Sequence, residues 1–345
     1  MTMTLERPTD VLHDVVDDAT RRGFLGGVLG LGAAALVGCS DTGQTSSQSA
    51  TGETRIDHTY GSTVVPSKPQ RVVSVGDTDQ DAILALGVVP VGIRDYFGDQ
   101  PYAVWPWARD RLGDAAPTVF DASDGLRIEE VAALKPDLII GTYSAMSQRE
   151  YDLLSQIAPT VAQSADYPDY GQPWDEITLT IGRALGRESL ARDLVAGVRS
   201  TFAGLRRAHP EFAGRTAVVG SVSGAEYVAY TSTDSAARFL ASLGFENDPA
   251  IDTLAKDAGV TGVVSVSGER LDLFDRDIAL WYETRDEAAT LLESKVYTGL
   301  DVHREGRDVF LGYEPLGGAL AFSTVLSLPY AAEKIVPMLA EALAD

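Results

Sequence analysis

A chain of 345 residues that is 45% hydrophobic can bury one large core or two moderate ones. Its 50 Asp and Glu residues outnumber 28 Lys and Arg, for a formal charge of −22. That sign excludes nucleic acid as a natural partner, because phosphate binding needs positive charge, and it favours neutral or cationic solutes in the long-range field. A single cysteine excludes an internal disulfide and any Cys/His zinc spacing.

The chain opens with an export pattern. Arg21 and Arg22 stand side by side before Gly23 to Val37, an uncharged apolar run rich in Gly and Ala. About 15 residues are too few to span a bilayer but suit the apolar region of a secretory signal. The adjacent arginines ahead of it read as a Tat signal. "Leu36-Val37-Gly38-Cys39" then resembles the lipobox of bacterial lipoproteins. The resemblance implies that residues 1–38 are a removed signal peptide, that Cys39 carries acyl chains, and that the protein is anchored on the outer face of the cell membrane. Stable anchoring needs more than one chain. Residues 39–55 follow as a flexible tether, too polar to build a core.

Past the tether, Arg71–Val75 is a β-branched run, Gly76–Thr78 a turn, Asp79–Leu86 a helical pattern closed by Gly87, and Val88–Ile93 a second apolar run. Together they predict a βαβ unit with a parallel pair of strands. "VAALKPDLIIG" repeats the logic, with a helix to Leu134 and a strand over Leu138–Ile140. "YDLLSQIAPTVAQSA" does so again, with Pro159 between helix and strand. The alternation stops near Trp174. Trp174, Ile177, Ile181 and Leu185 share a helical face that ends at Gly186. A second helix is predicted over Glu188–Ala208, with Leu190, Leu194, Val198, Phe202 and Leu205 as its apolar stripe and His209-Pro210 as its stop. Alternation then resumes through "TAVVGSV", "AEYVAY", "SAARFLASLGF", "DIALWY" and "DVFLGY" to a last helix over Pro329–Leu343.

The expected fold is therefore α/β: two Rossmann-like lobes, 56–187 and 210–345, joined by one long helix, 188–209, with a ligand cleft between them. Each half also holds a phrase with a carboxylate in a helix's first turn, Glu129 in "RIEEVAALKPD" and Glu269 in "SGERLDLFDRD". Negative charge at a helix N-terminus stabilises by about 0.3–1 kcal/mol, which is a sufficient structural reason for both.

The order and spacing of "PQRVVSVGDTDQDAILALGVVPVGI", "IEEVAALKPDLIIG", "IAPTV", "IGRALGRESLARDLV", "SAARFLASLGF" and "VLSLPYAAEKIVPMLAEAL" resemble the substrate-binding lipoproteins of ABC importers for ferric siderophores, haem and cobalamin, over nearly all of residues 60–340. The resemblance implies a rigid helical connector that limits lobe closure. It implies one exposed glutamate per lobe docking on permease arginines, which by position are Glu129 and Glu269. It implies a monomer that takes a ferric siderophore and uses no cofactor, with no catalytic or metal-binding residues of its own. A siderophore already chelates its iron, so its receptor needs aromatic walls and arginines. Such residues at and beyond strand ends are Arg94, Tyr96, Trp105, Trp107, Tyr143, Trp281, Tyr282, Arg285 and Tyr313.

Haem and cobalamin stay open as ligands. Direct metal capture would want clustered ligands, whereas His58, His209 and His303 are scattered. An enzyme is the rival from another class, but no GxSxG, HExxH or P-loop pattern occurs, and "Gly76-Asp77-Thr78" lacks a dinucleotide fingerprint. A sensory or structural surface lipoprotein is the third class.

Overall fold

The computed structural model describes residues 54–121, 125–223 and 226–344. The expected signal peptide, with Arg21 and Arg22, the expected anchor Cys39 and the expected tether up to residue 53 lie outside the described residues. Among the described residues no helix is long and apolar enough to cross a membrane.

Strand structure is present from Thr54, two residues before the expected start of the first lobe. Strands β1 (Thr54–His58) and β2 (Gly61–Val65) form an antiparallel hairpin, with Ile56 and Val65 turned into the core. The first large sheet follows with β3 (Val72–Ser74), β4 (Gly92–Arg94), β5 (Thr118–Phe120), β6 (Leu138–Gly141) and β7 (Thr160–Ala162). All its pairs are parallel and its spatial order is β5-β4-β3-β6-β7. Because β3 is first in sequence and central in space, the chain winds outward twice from it. The gap beyond the C-terminal ends of β3 and β6 is the switch point where such sheets hold ligands. The run Val88–Ile93 is shorter as a strand than its composition suggests. Pro90 has no N–H for a ladder, and pairing begins only at Gly92.

Helices α1 (Asp79–Ala85), α2 (Trp174–Ala184) and α3 (Glu188–Ala208) come next in importance. In sequence, α3 lies between the two large sheets, and its 21 residues span about 32 Å at 1.5 Å each. Its buried stripe is Ala191, Val195, Val198 and Phe202, and Leu190 is exposed. The expected stripe stepped four residues at a time, which rotates about 40° per step around a helix of 3.6 residues per turn, so its start drifts off the core face. Ala191 is buried because α2 comes very close there. A Cβ on Gly182 would meet that of Ala191 at 2.3 Å.

The second sheet is built from β8 (Thr216–Ser223), β9 (Glu226–Tyr230), β10 (Glu246–Asn247), β11 (Val263–Val266), β12 (Ile278–Trp281) and β13 (Asp308–Phe310). Its order is β11-β9-β8-β12-β13, with β10 beside the start of β8. Pairs β8/β12 and β12/β13 are parallel, whereas β9 runs antiparallel to both β8 and β11. This lobe is thus mixed rather than all parallel. Only two residues separate β8 from β9, and a parallel return needs a crossover of a dozen or more. Helix α4 (Ser235–Leu243) is capped by Asp234, and α5 (Gly318–Phe322) and α6 (Ser327–Ala342) close the chain. One continuous core takes residues from both sheets, with Phe202 of α3 set edge-on to Phe239 of α4 at 5.7 Å.

Candidate functional site: a tyrosine cleft between two sheets

The turn after β3 and the first turn of α1 carry three aspartates, Asp77 in the turn and Asp79 and Asp81 in the helix, and all three are buried. Buried carboxylates must find donors, and these find them on separate parts of the chain. Asp79 reaches across the switch point to the turn after β6, where it accepts from Thr142 N at 2.7 Å, Thr142 Oγ1 at 2.7 Å and Tyr143 N at 3.4 Å. Gly76 makes room for it, since a Cβ there would meet Asp79 Oδ2 at 2.1 Å. Asp77 Oδ1 stands 2.8 Å from Arg94 Nη1 at the end of β4, an ion pair without the alignment of a hydrogen bond. Asp81 Oδ2 accepts from Trp107 Nε1 at 2.7 Å and from Thr324 Oγ1, just past α5, at 2.5 Å. Burial is the main cause that pushes these carboxyls up: Asp77 to about 7, against the pull of Arg94, and Asp79 and Asp81 to about 6, against their hydrogen bonds.

Above this base lie aromatic rings. Trp105 and Trp107 stack at 5.0 Å with an 11° tilt, and Phe322 meets both rings. Trp105 is fully buried because Gly98 and Gly318 flank it; a Cβ on either would come within 2.5 Å of its ring. Phe97 bridges this floor to the second sheet, 5.3 Å from Trp105 and 5.3 Å from Tyr313.

Six tyrosines then line the strand ends of the two sheets. Tyr96, Tyr143 and Tyr170 follow strands of the first sheet; Tyr230, Tyr282 and Tyr313 end or follow strands of the second. Tyr143 and Tyr170 meet edge to face at 5.4 Å, and the Tyr143 hydroxyl donates to the Tyr170 carbonyl at 2.9 Å. Tyr282 lies 5.1 Å from Tyr230 and 6.0 Å from Tyr313. Burial raises every one of these phenols, Tyr313 to about 12 and the others further. All six therefore stay protonated near neutral pH and offer both a donor and an acceptor.

A cavity of about 450 Å³ adjoins Tyr143 and Tyr170 and extends to Trp174, Phe202, Arg238 and Phe322. Arg238 of α4 donates to the Thr233 carbonyl at 2.7 Å and reaches the Gly171 carbonyl across the cleft at 3.5 Å. Gln100 Nε2 and Glu314 Oε2 make a second bridge at 3.2 Å.

Among the residues expected from sequence, Arg94, Tyr96, Tyr143, Tyr282 and Tyr313 come together here, and Trp105 and Trp107 form the floor. Trp281 and Arg285 do not join them. Successive side chains on a strand point to opposite faces, so Tyr282 and Trp281 cannot share the cleft. Trp281 is fully buried on the far face, packed on Phe274 at 4.6 Å, with its indole N–H donating to Tyr297 Oη at 2.8 Å. Arg285 lies over Phe310 at 4.7 Å and pairs with Asp308 at 3.0 Å. Sequence reasoning missed the three aspartates, Tyr170, Tyr230, Asp234, Arg238 and Glu283. The available signal was "DTDQD", three carboxylates at alternate positions two residues past a fully buried strand. Glu129 and Glu269 are both exposed, in the first turns of Ile128–Ala133 and of the 3₁₀ segment Gly268–Phe274.

Two α/β lobes whose strand ends converge on one aromatic cleft define a solute-binding protein rather than a fold built around a nucleophile. The chain belongs to the family described as "Periplasmic binding protein", whose model matches residues 72–299. The Fe(3+)-citrate-binding protein YfmC of Bacillus subtilis (strain 168) is 27% identical over 274 residues, 77% of this chain and 80% of that protein. A periplasmic solute binding protein from Mycobacterium smegmatis str. MC2 155 superposes with a TM-score of 0.76 at 33% identity, covering 85% of this chain and 99% of the other. Staphylococcus aureus SirA complexed with staphyloferrin B does so with a TM-score of 0.66 at 25% identity, covering 84% and 98%.

Proposed function

We propose that this protein captures a ferric siderophore in the tyrosine cleft and hands it to an ABC permease for iron uptake. The observation that carries the reading is the meeting of six protonated tyrosines from the strand ends of two sheets, over a tryptophan floor, with Arg94 and Arg238 at the margin. The iron's coordination sphere is filled by the chelate. The protein's task is to cover the chelate's apolar faces with rings and to meet its outer oxygens and nitrogens with phenols and guanidiniums. The family and the ferric-citrate and staphyloferrin proteins similar to this chain support that reading.

The same proposal places the chain on the outer face of the membrane after Tat export, held through acylated Cys39 and acting as a monomer. Glu129 and Glu269 dock on permease arginines, and α3 limits how far the lobes close. The exposure of both glutamates supports the docking role. A docking carboxylate contributes little to folding, since surface pairs are worth about 0–1 kcal/mol.

The test is a titration of purified protein with ferric chelates, haem, cobalamin and free ferric ion, followed by tryptophan fluorescence, since Trp105 and Trp107 underlie the cleft. One ferric siderophore per chain is expected. Tighter binding of haem, cobalamin or bare iron than of any chelate would overturn the ligand. In cells, Glu129→Arg with Glu269→Arg should abolish uptake at unchanged chelate affinity, and Cys39→Ser should free the protein from the membrane fraction.

A further inference from the structure

The chain's charge of −22 is not repeated in the cavity beside the tyrosines. Arg199 and Arg206 of α3 and Arg238 of α4 line it, and among the described residues Asp175 of α2 is the one acidic residue in its wall. Arg199 is paired with Asp175. Arg206 donates to the Ser242 carbonyl at 2.5 Å, and Arg238 donates to the Thr233 and Gly171 carbonyls. A carbonyl orients a guanidinium without neutralising it, so both keep their charge. Asp234 acts electrostatically with Arg238, but it caps α4 by accepting from Ala236 N at 2.8 Å and does not line the cavity. Even with Asp234 counted, two carboxylates meet three guanidiniums. Deeper among the tyrosines, burial pushes Asp77 and Glu283 up to about 7, so near neutrality each carries only part of a negative charge. The field far from the protein is negative, whereas this wall is positive.

Resting on the siderophore reading above, we infer that the cavity receives the carboxylate-bearing end of an anionic ferric chelate, and that Arg206 and Arg238 select such a chelate over neutral hydroxamates. Three singly charged hydroxamates cancel the charge of ferric ion, so their complex offers a guanidinium nothing to pair with. Chelates built from hydroxycarboxylates bring more negative charge than the iron cancels, and they leave carboxylate oxygens pointing outward. A guanidinium presents its donors as a planar fork that matches a carboxylate, and the charge-assisted bond is about twice as strong as a neutral one. In a tris-catecholate the charged oxygens all bind the iron, and the outer surface is ring edge, which suits a fork less well. The cavity also has an apolar side, with Trp174, Phe202, Phe239 and Phe322, for the carbon skeleton of the chelate. Its volume of about 450 Å³ lies in the usual range of small-molecule sites, roughly 300–1,000 Å³. The Ser235 and Ser242 hydroxyls, both in the lining, add neutral donors on the same helix as Arg238.

The experiment titrates the full chain with Fe(3+)-citrate as the carboxylate probe, a ferric tris-catecholate as the second anion, and ferrichrome as the neutral hydroxamate, at low and at high salt. Fe(3+)-citrate should bind at least about tenfold tighter than ferrichrome, and its affinity should fall further as salt rises. Ferrichrome binding as tightly as either anion would overturn the inference while leaving a siderophore receptor. A tris-catecholate binding tighter than Fe(3+)-citrate would overturn the assignment to carboxylates. Failure of every chelate would instead remove the reading on which the inference rests. Arg206 is exposed and bonded only to a carbonyl, so Arg206→Gln should fold. It should lower the ratio of Fe(3+)-citrate to ferrichrome affinity about tenfold, and Arg206→Lys, which keeps the charge, should recover part of that ratio. Arg238→Gln should lower the ratio in the same sense. Asp175→Asn removes the one acidic group of the wall, frees Arg199 and should raise it. An unchanged ratio in both glutamine variants, or equal loss for all three probes, would make these arginines packing groups and overturn their role.

Discussion

The two lobes reach the same cleft by different means. The first sheet is all parallel, and its site edge is held by buried carboxylates that tie one turn to another, Asp79 to Thr142 and Asp77 to Arg94. The second sheet contains an antiparallel hairpin, and its site edge is held by ring packing and by glycines that leave room. A Cβ on Gly317 would meet Tyr282 Cδ1 at 2.9 Å. The polar ties position backbone as well as side chains and tolerate little change. The ring-packed edge places phenols whose hydroxyls can be removed without touching the frame. Stability should therefore be concentrated in one edge and ligand chemistry in the other.

The comparison can be broken most forcefully at Trp281, which stands behind the second edge rather than in it. Trp281→Ala should cost about 3–5 kcal/mol of folding stability in urea denaturation, the usual range for an aromatic truncated in a core. Affinity per folded molecule should stay near wild type. A selective loss of ligand at unchanged stability would return Trp281 to the cleft. Next comes Asp79→Ala, which strands the buried Thr142 N–H and hydroxyl and should cost about 3 kcal/mol in the same assay. A wild-type denaturation midpoint would show that the first edge does not depend on its carboxylates. Tyr313→Phe keeps the ring and removes one hydroxyl. It should leave the midpoint unchanged and weaken the chelate by about 1 kcal/mol in a fluorescence titration. A stability loss without an affinity loss would make both edges alike.

The remaining test is in pH. Asp77, Asp79 and Asp81 hold protons more tightly folded than unfolded, because their values rise from 3.8 to about 7, about 6 and about 6. Their contribution is fully present below the unfolded value and is lost as pH rises through the folded ones. The protein should therefore be more stable at pH 5.5 than at pH 7.5, read as a higher Tm. Asp81→Asn keeps an acceptor for Trp107 and Thr324 and should make that rise smaller without abolishing it. A Tm that falls over the same interval would mean that these groups are ionised without cost.

The frame was legible where local signals end elements. Gly186 and His209-Pro210 bound α3, and the helix runs over the predicted residues, Glu188–Ala208. It was less legible where a distinction of one residue decides a face. Leu190 reads as core and Ala191 does not, yet the close approach of α2 buries the alanine. Trp281 is the stronger aromatic signal, yet strand parity gives the cleft to Tyr282. Least legible were the aspartates of "DTDQD". A run of polar residues after a strand looks like a solvated turn. What buries Asp79 is a partner 63 residues away, brought close only by the winding order of the sheet. The composition carried the aromatic and arginine content of the site but not its charge balance, since pairing depends on which guanidinium each carboxylate meets.

The hydrogen bond between Asp81 and Thr324 spans 243 residues of sequence. During synthesis, the turn that carries Asp81 leaves the ribosome long before its partner exists. Until residue 324 emerges, the first lobe holds a carboxylate bound for an apolar interior with one of its two donors missing. The lobe's floor, with Trp107 fixed to that same oxygen and Phe322 laid across it, is completed only when the end of the chain returns. Such long-range closure slows folding, and it makes the final turns of the polypeptide the step that commits the whole. A nascent chain cut short before α5 would carry nearly all of both sheets and still lack a finished binding face.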